Sequence, residues 1–367
     1  MKIDCRTIWQ QAAGDKNRDY VDVCIRFDVI LNGPGRHGRW PECSTAQKLK
    51  GKIGKRKLTD LRRFSESIKD GDLVVLRLGT SEVHAVGQVV GDYLYHPEFG
   101  DVDGWDLEHV RRVRWLWTAP SKQIDERIQF TVRQPQIFEP YSMKLGDTTQ
   151  PLNDGRVKEW LARLPIPEGV QARPLAELPV TSAEELSLEE LAAFMSENTL
   201  TNLPTAPVRQ QLQTLNELAN WYRQTDEDPT EHEAVAHLAL PLLTLLGWST
   251  RQLAIEWKSM DIALFEKLPR HTDHLAAIVE AKRLGRSCLG ALHQAIRYAK
   301  KRPSCQRLIL TDGPRYWVHV KQGAAWTLHA HLNLRRLRSE NPIYRCAGAK
   351  EALLAMAPGW KGLDVSG

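Results

Sequence analysis

MDIALFEKLPRHTDHLAAIVEAK, residues 260–282, holds two apolar runs separated by a polar, proline-containing stretch. The runs are short enough for strands, and the divider is what a hairpin-like connection requires. Asp261 opens the first run. Glu280 and Lys282 flank Ala281 at the end of the second. Side chains two apart on a strand leave the same face, so Glu280 and Lys282 emerge together. Neighbouring strands lie about 4.8 Å apart, which puts Asp261 beside Glu280. Two carboxylates at that separation repel each other unless a cation joins them. Mg²⁺ suits the pair, because it takes one or two carboxylates and completes its shell with water and substrate phosphate. The metal expected is therefore Mg²⁺ on Asp261 and Glu280, with Lys282 positioning or deprotonating a water.

Working outward, the segment from about residue 229 alternates helix and strand. A helix over 230–246 carries Pro241, which should kink it. The strands QLAIEW, MDIALF and LAAIVEAK follow, then a helix over 288–300 and the strands RLILTD, RYWVHV and AWTLHA. That order predicts an α/β arrangement around a mixed sheet. Upstream, PIPEGVQARPLAELPV is rich in Pro and without period, so it reads as a linker. Thr181 with Glu184, and Ser187 with Glu190, have capping-box spacing. A helix over 207–222 would bury Val208, Leu212, Leu215, Ala219 and Tyr222 on one face. These helices serve as a spacer, a dimerisation element or packing for either neighbour; the pattern does not choose.

The first 120 or so residues read as strands divided by Gly and Asp turns: 21–31, 71–79, 84–95 and 110–117, with a closing helix at 154–164. Such spacing predicts a small barrel or strongly curved sheet. The expected divisions are 1–165, a linker at 166–228, 229–335, and an extension at 336–367.

At 367 residues, 42% hydrophobic and 26% charged, the chain has the composition of a two-domain soluble protein. It contains no apolar run of about eighteen residues, hence no expected membrane span, and MKIDCRTIWQ lacks the apolar core of a signal peptide. A cytoplasmic protein is expected. The cysteines at 5, 24, 43, 288, 305 and 346 are scattered, which suits neither a zinc site nor a disulfide framework. The net charge of +5 is mild but uneven. Lys48, Lys50, Lys52, Lys55, Arg56, Lys57, Arg62 and Arg63 crowd one segment. Arg283, Arg286, Arg297, Lys300, Lys301, Arg302 and Arg307 form a second cluster beside the Asp–Glu–Lys trio. Such concentrations favour phosphate backbones.

TEHEAVAHLALPLLTLLGW (230–248), Glu256-Trp257, MDIAL, IVEAKRLG, ALHQAIRYA and LTDGPRYW stand in the order found in the N-terminal nuclease domain of type I restriction-enzyme motor subunits, and residues 229–320 resemble it. That domain belongs to the PD-(D/E)XK nuclease superfamily. The resemblance implies a restriction-endonuclease-like fold with Asp261 and Glu280 as metal-binding acids and Lys282 as the catalytic lysine. It also makes Glu231 an acidic helix residue supporting the metal or its waters. Gln294 and Tyr298 match a Gln-x-x-x-Tyr pattern whose i, i+4 spacing puts both on one helix face, to hold DNA or the lysine. The family's proline is missing, since Met260 precedes Asp261. GxxxxGK[ST] appears nowhere, so no motor activity is expected.

IWQQAAGDKNRDYVDVCIRFDVILNGPG, GDLVVLRLG, HAVGQVVGDYLY and GWDLEHVRRVRWLW resemble a PUA-like domain of the EVE type. The resemblance implies a reader of modified bases, which stacks a flipped base on aromatic rings and bonds its edge. Trp9, Tyr20, Trp40 and Trp105 are the aromatic candidates, with Gln10 and Asn32 to read the edge. Taken together, the expected molecule is a two-domain α+β protein: a PUA/EVE-like β-barrel, a helical linker and a restriction-endonuclease-like mixed sheet. The expected function is a Mg²⁺-dependent DNA endonuclease of anti-phage restriction, gated by a feature such as a modified cytosine. It would act as a homodimer, or with a defence-system partner, by in-line attack of water that leaves a 5′-phosphate. The alternatives are a non-catalytic reader or recruiting subunit, and an RNA-binding protein.

Overall fold

The computed structural model describes residues 6–15, 17–44, 53–79, 82–119, 121–125, 130–133, 136–137, 149–152, 155–164, 173–180, 184–224 and 229–362. The chain is a mixed α+β protein that divides into two units, 1–124 with 130–179, and 180–367 with 125–129. Among the described residues no helix is long and apolar enough to cross a membrane.

The N-terminal unit is built on a seven-stranded sheet curled into a half-barrel. Its strands are β1 (Ile8–Ala12), β2 (Val29–Asn32), β3 (Leu73–Leu78), β4 (Glu82–Tyr95), β5 (His109–Thr118) and β6 (Thr149–Pro151), in the order β6-β1-β3-β4-β5-β2, with Gln136–Ile137 pairing β4. The long strand β4 curls the sheet through register shifts at Val86/Gly87 and Val90/Tyr93. Gly87 permits this, since a Cβ there would come within 2.3 Å of Val113 Cγ1. On one face Ile8, Leu73, Val75, Val83, Val86 and Leu116 bury against Val157 and Leu161 of helix α3 (Gly155–Arg163), the expected closing helix.

The sequence reading of 21–31 as one strand is corrected. Val21–Arg26 form helix α1, and only Val29–Asn32 are strand. The N-cap is Tyr20, without a side-chain cap, and Asp19 Oδ1 just before it accepts the Val21 amide at 3.0 Å, which turns the chain into the helix. Asp28 ends the segment with φ +51°, and its buried carboxylate accepts from Arg173 Nη2 at 2.6 Å and the Ala176 amide at 2.8 Å. The β-branched content of the segment was overridden by these side-chain contacts. The first basic cluster falls partly on helix α2 (Lys55–Arg62); Lys48, Lys50 and Lys52 lie outside the described residues.

The C-terminal unit centres on a mixed eight-stranded sheet. Its main strands are β7 (Leu253–Trp257), β8 (Met260–Phe265), β9 (Leu275–Ala281), β10 (Arg307–Thr311), β11 (Arg315–Gln322) and β12 (Ala325–Asn333), hydrogen-bonded in that order and followed by Cys346–Ala347 and Glu340–Asn341. Only two of its pairings are parallel: β9 with β10, through helix α7 (Leu292–Ala299), and the single-residue pairing of β12 with Cys346–Ala347. The order of elements is that expected for 229–335.

One core spans more than that segment. Helices α4 (Leu188–Glu197) and α5 (Thr205–Gln224) pack into it with helix α8 (Ala349–Met356). The Ser187–Glu190 capping box is formed, while 181–183 lie outside the described residues. All five expected core positions of α5 are buried. The sequence left these helices three roles, and the fold takes packing on the C-terminal neighbour.

Helix α6 begins at a second capping box, Thr230 with Glu233, and runs through Glu231–Ala234, Val235–Ala239 and Leu240–Leu245. Its middle section is a π-turn in which the Leu240 amide bonds Val235 O. Pro241 offers no amide, and its ring would crowd the carbonyl four residues back; widening the preceding turn relieves both problems. The expected kink is thus a wide turn.

Candidate active site

The site lies at one end of β8 and β9. Their antiparallel register pairs Ile262 with Val279 and so carries Asp261 to Glu280. Asp261 Oδ2 accepts the Ala281 amide at 2.6 Å. Beyond Ala281, the Lys282 amide bonds Thr311 O at 2.7 Å, so the end of β9 is fixed to β10. The Lys282 ammonium donates to Ala281 O at 2.7 Å and sits 3.6 Å from Glu280 Oε1 and 3.8 Å from Glu231 Oε1. Gln294, from α7, donates to Glu280 Oε1 at 2.5 Å and to the Tyr298 hydroxyl at 3.3 Å. Asp261, Glu280, Lys282, Glu231 and Gln294 therefore converge from β8, β9, α6 and α7, with Tyr298 joined through Gln294.

The electrostatics are unusual for a surface cluster. Glu280 is 1% exposed, and its Oε2 is buried with no N–H donor, facing only the Asp261 carboxyl. Burial first, then the Asp261 charge, push its pKa up to about 8, with Lys282 acting in the opposite sense. Burial also raises Glu231, Lys282 opposes it and Asp261 adds to it. A buried carboxylate oxygen aimed at a second carboxylate is costly as an anion. A proton or a cation relieves that cost. Among the described residues no group of three His, Cys, Asp or Glu side chains is arranged to hold a metal. Two carboxylates with a buried orphan oxygen nonetheless suit Mg²⁺, which fills most of its octahedron with water and substrate oxygens.

A residue that sequence reasoning passed over is Gly313. Its φ of +94° turns the chain between β10 and β11, and a Cβ there would lie 2.8 Å from Leu238 Cδ1 and 3.1 Å from Ala234 Cβ. Bare backbone thus lets the turn touch the helix that begins with Glu231. The signal was present in LTDGPRYW, where Asp-Gly-Pro marks a turn.

The candidate base-reading residues of the N-terminal unit do not form one cluster. Trp9 is buried and donates to Asp72 Oδ2 at 2.8 Å. Gln10 faces the opposite side of β1, the side of Ile8 and α3, with its Oε1 buried and unpartnered. Tyr20 is buried and donates to Ala12 O at 3.1 Å. Trp40 donates to Glu66 Oε1 at 2.8 Å and packs on Cys43 and Leu61. Trp105 is half-buried under the Arg18 guanidinium, 3.2 Å from its ring centre. Asn32 enters a buried polar network: its Nδ2 contacts Thr149 Oγ1 at 3.1 Å and Asp60 Oδ2 at 3.3 Å, and its Oδ1 accepts from Lys57 Nζ at 2.7 Å. Thr149 donates on to Gln11 Oε1 at 2.7 Å. Gln11, Asp60 and Thr149 were missed, and Lys57 was read only as part of the basic cluster. Strand alternation could have separated Gln11 from Gln10, but Thr149 is distant in sequence.

The family described as a domain of unknown function (DUF8426) matches residues 9–139. Comparison with curated proteins and with solved structures finds no match. The family match falls on the half-barrel and leaves the Asp261–Glu280–Lys282 site outside it.

Proposed function

We propose that this chain is a Mg²⁺-dependent DNA endonuclease, its C-terminal unit a restriction-endonuclease-like nuclease and its N-terminal half-barrel a PUA-like, EVE-type reader that gates cleavage. The observation that carries the reading is the buried, unpartnered Glu280 Oε2 beside Asp261, with Lys282 3.6 Å from the other oxygen. A surface salt bridge would leave no carboxylate oxygen buried and unbonded.

Asp261 and Glu280 would hold the cation. When bound, Mg²⁺ lowers the pKa of a coordinated water and stabilises charge on the phosphate. Gln294 fixes the Glu280 carboxylate in rotation. Lys282, tethered by Ala281 O between Glu280 and Glu231, presents an ammonium that orients the attacking water or bonds a phosphate oxygen. Cleavage of both strands requires two such sites, hence a homodimer or a second recruited copy. The gating feature we favour is a modified cytosine in phage DNA, with a defence-system partner as an additional activator.

The test is Mg²⁺-dependent cleavage of matched phage DNAs carrying unmodified, methylated, or hydroxymethylated or glucosylated cytosine, with Lys282→Ala alongside. Cleavage of modified DNA alone, lowered about 10²–10⁴-fold in Lys282→Ala with binding retained, is expected. Equal cleavage of all the DNAs discards the gate. Undiminished cleavage by Lys282→Ala discards the site.

A further inference from the structure

From Ala281 to Thr311 every charged side chain is a cation, whereas acids outnumber bases in the rest of residues 180–367. The fold sorts these cations. Arg302 and Arg307 are buried, and they are spent within the protein: Arg302 Nη1 bonds Tyr298 O, and Arg307 bonds Ala355 O, Ala357 O and Glu266. Arg283, Arg286, Arg297, Lys300 and Lys301 are exposed.

Helix α7 has three sides. Leu292, Ala295, Ile296 and Ala299 are buried against the sheet, and Gln294 and Tyr298 reach toward Glu280. The remaining side presents His293, Arg297 and Lys300 to solvent, and Lys301 follows in the next turn. At about 1.5 Å per residue, Lys301 lies about 10 Å along the axis from Gln294. Arg283 and Arg286 stand at the other end, in the loop directly after Lys282. The result is an exposed basic strip that starts at the carboxylate–lysine site and runs away from it along the helix.

We infer that this strip is the surface on which the sugar–phosphate backbone of a nucleic acid duplex lies, with Arg283 and Arg286 at the cleavage end and Arg297 and Lys301 along the flank. A polyanion is the partner whose charge complements a segment that carries exposed cations and no acid of its own, and condensed counterions released from it supply the driving force. The inference rests on the proposed nuclease reading for the identity of the adjoining site; the strip itself is a matter of charge and exposure.

Binding of a DNA duplex of about 30 base pairs to the full chain, followed against salt concentration without divalent metal, tests it. The variants are Arg297→Ala/Lys301→Ala and, as an equal-charge control on helix α8 and the segment after it, Lys350→Ala/Lys361→Ala. Each lost phosphate contact should lower the slope of log K against log salt by about 0.9. The strip variant should therefore lose about two units of slope and bind at least tenfold more weakly, with the control unchanged. A slope identical to that of the unaltered chain, or an equal loss in the control, overturns the strip. If the slope falls but no condition yields cleavage, the strip stands and the nuclease reading fails. If cleavage depends on Lys282 while the slope is unmoved, the reverse holds.

Discussion

Gln294 Nε2 lies 2.5 Å from Glu280 Oε1, and among the described residues it is the one side-chain amide on that buried carboxylate. The bond ties α7 to the end of β9. A residue that orients a metal-binding carboxylate without binding the metal typically alters metal affinity about 10–100-fold. Gln294→Ala is expected to weaken Mg²⁺ binding by that order and leave the fold intact, since Gln294 is only half-buried on a helix whose core face is Leu292, Ala295, Ile296 and Ala299. Isothermal titration with Mg²⁺ checks this, with circular dichroism to establish folding. Unaltered affinity would mean that Gln294 serves packing alone.

Glu280 should leave a mark on stability against pH. Its folded-state pKa, pushed up to about 8 by burial and by Asp261, stands above the ordinary 4.5. The folded chain therefore binds this proton more tightly than the unfolded chain does. The contribution is fully present below about 4.5 and is lost as pH rises toward 8. In a metal-free buffer the melting temperature should decline across that window, and Glu280→Gln should decline less. Mg²⁺ should restore the unaltered chain but not the Gln variant. Parallel melting curves for the two proteins across the window, with and without Mg²⁺, count against the assignment.

Gly313 is expected to be intolerant of even a methyl group. Gly313→Ala meets Leu238 Cδ1 at 2.8 Å and forces an L side chain to φ +94°. Gly323 has φ +60° with nothing within 4 Å, so Gly323→Ala isolates the backbone cost. The latter should cost about 1 kcal/mol and the former about 2–4 kcal/mol, strain and overpacking together. Urea midpoints of the two variants measure the difference. Equal midpoints would mean the turn shifts freely from α6, and Glu231 would then owe its place to something else.

How far the sequence led differs between the two units, for physical reasons. The meeting of Asp261, Glu280 and Lys282 was legible because strand alternation and hairpin register are local rules, and the register shift at Leu264/Phe265 falls at the far end of the pair from them. The core face of α5 was legible because 3.6-residue periodicity is equally local. The position of α4, α5 and α8 in the C-terminal core was not, because apolar faces do not name their partners. In the N-terminal unit the misread strand at 21–31 turned on Asp19 and Asp28, and Asp28 is held by Arg173 and Ala176 from far along the chain. The base-reading candidates were chosen for ring chemistry, a criterion blind to side-chain direction; Trp9 and Gln10 leave opposite faces of β1.

Asp60 offers the sharpest probe of the half-barrel. It is 1% exposed and accepts from the Thr149 amide at 2.5 Å, Lys57 Nζ at 2.7 Å and Asn32 Nδ2 at 3.3 Å. It thereby joins α2, β2 and β6, three segments that no local rule brings together. Asp60→Ala would leave the Thr149 amide without an acceptor and Asn32 Nδ2 with Thr149 Oγ1 alone, though Lys57 can turn toward solvent. Hydrogen bonds to a charged group contribute about 1.5–3 kcal/mol each, and the loss here should fall near about 3 kcal/mol. Asp60→Asn keeps one acceptor for the Thr149 amide and should recover about half of that. Denaturant titration followed by tryptophan fluorescence separates the two. If Asp60→Asn is as damaging as Asp60→Ala, the charge on Lys57 governs the network; if neither is damaging, the junction of α2, β2 and β6 is held by apolar packing.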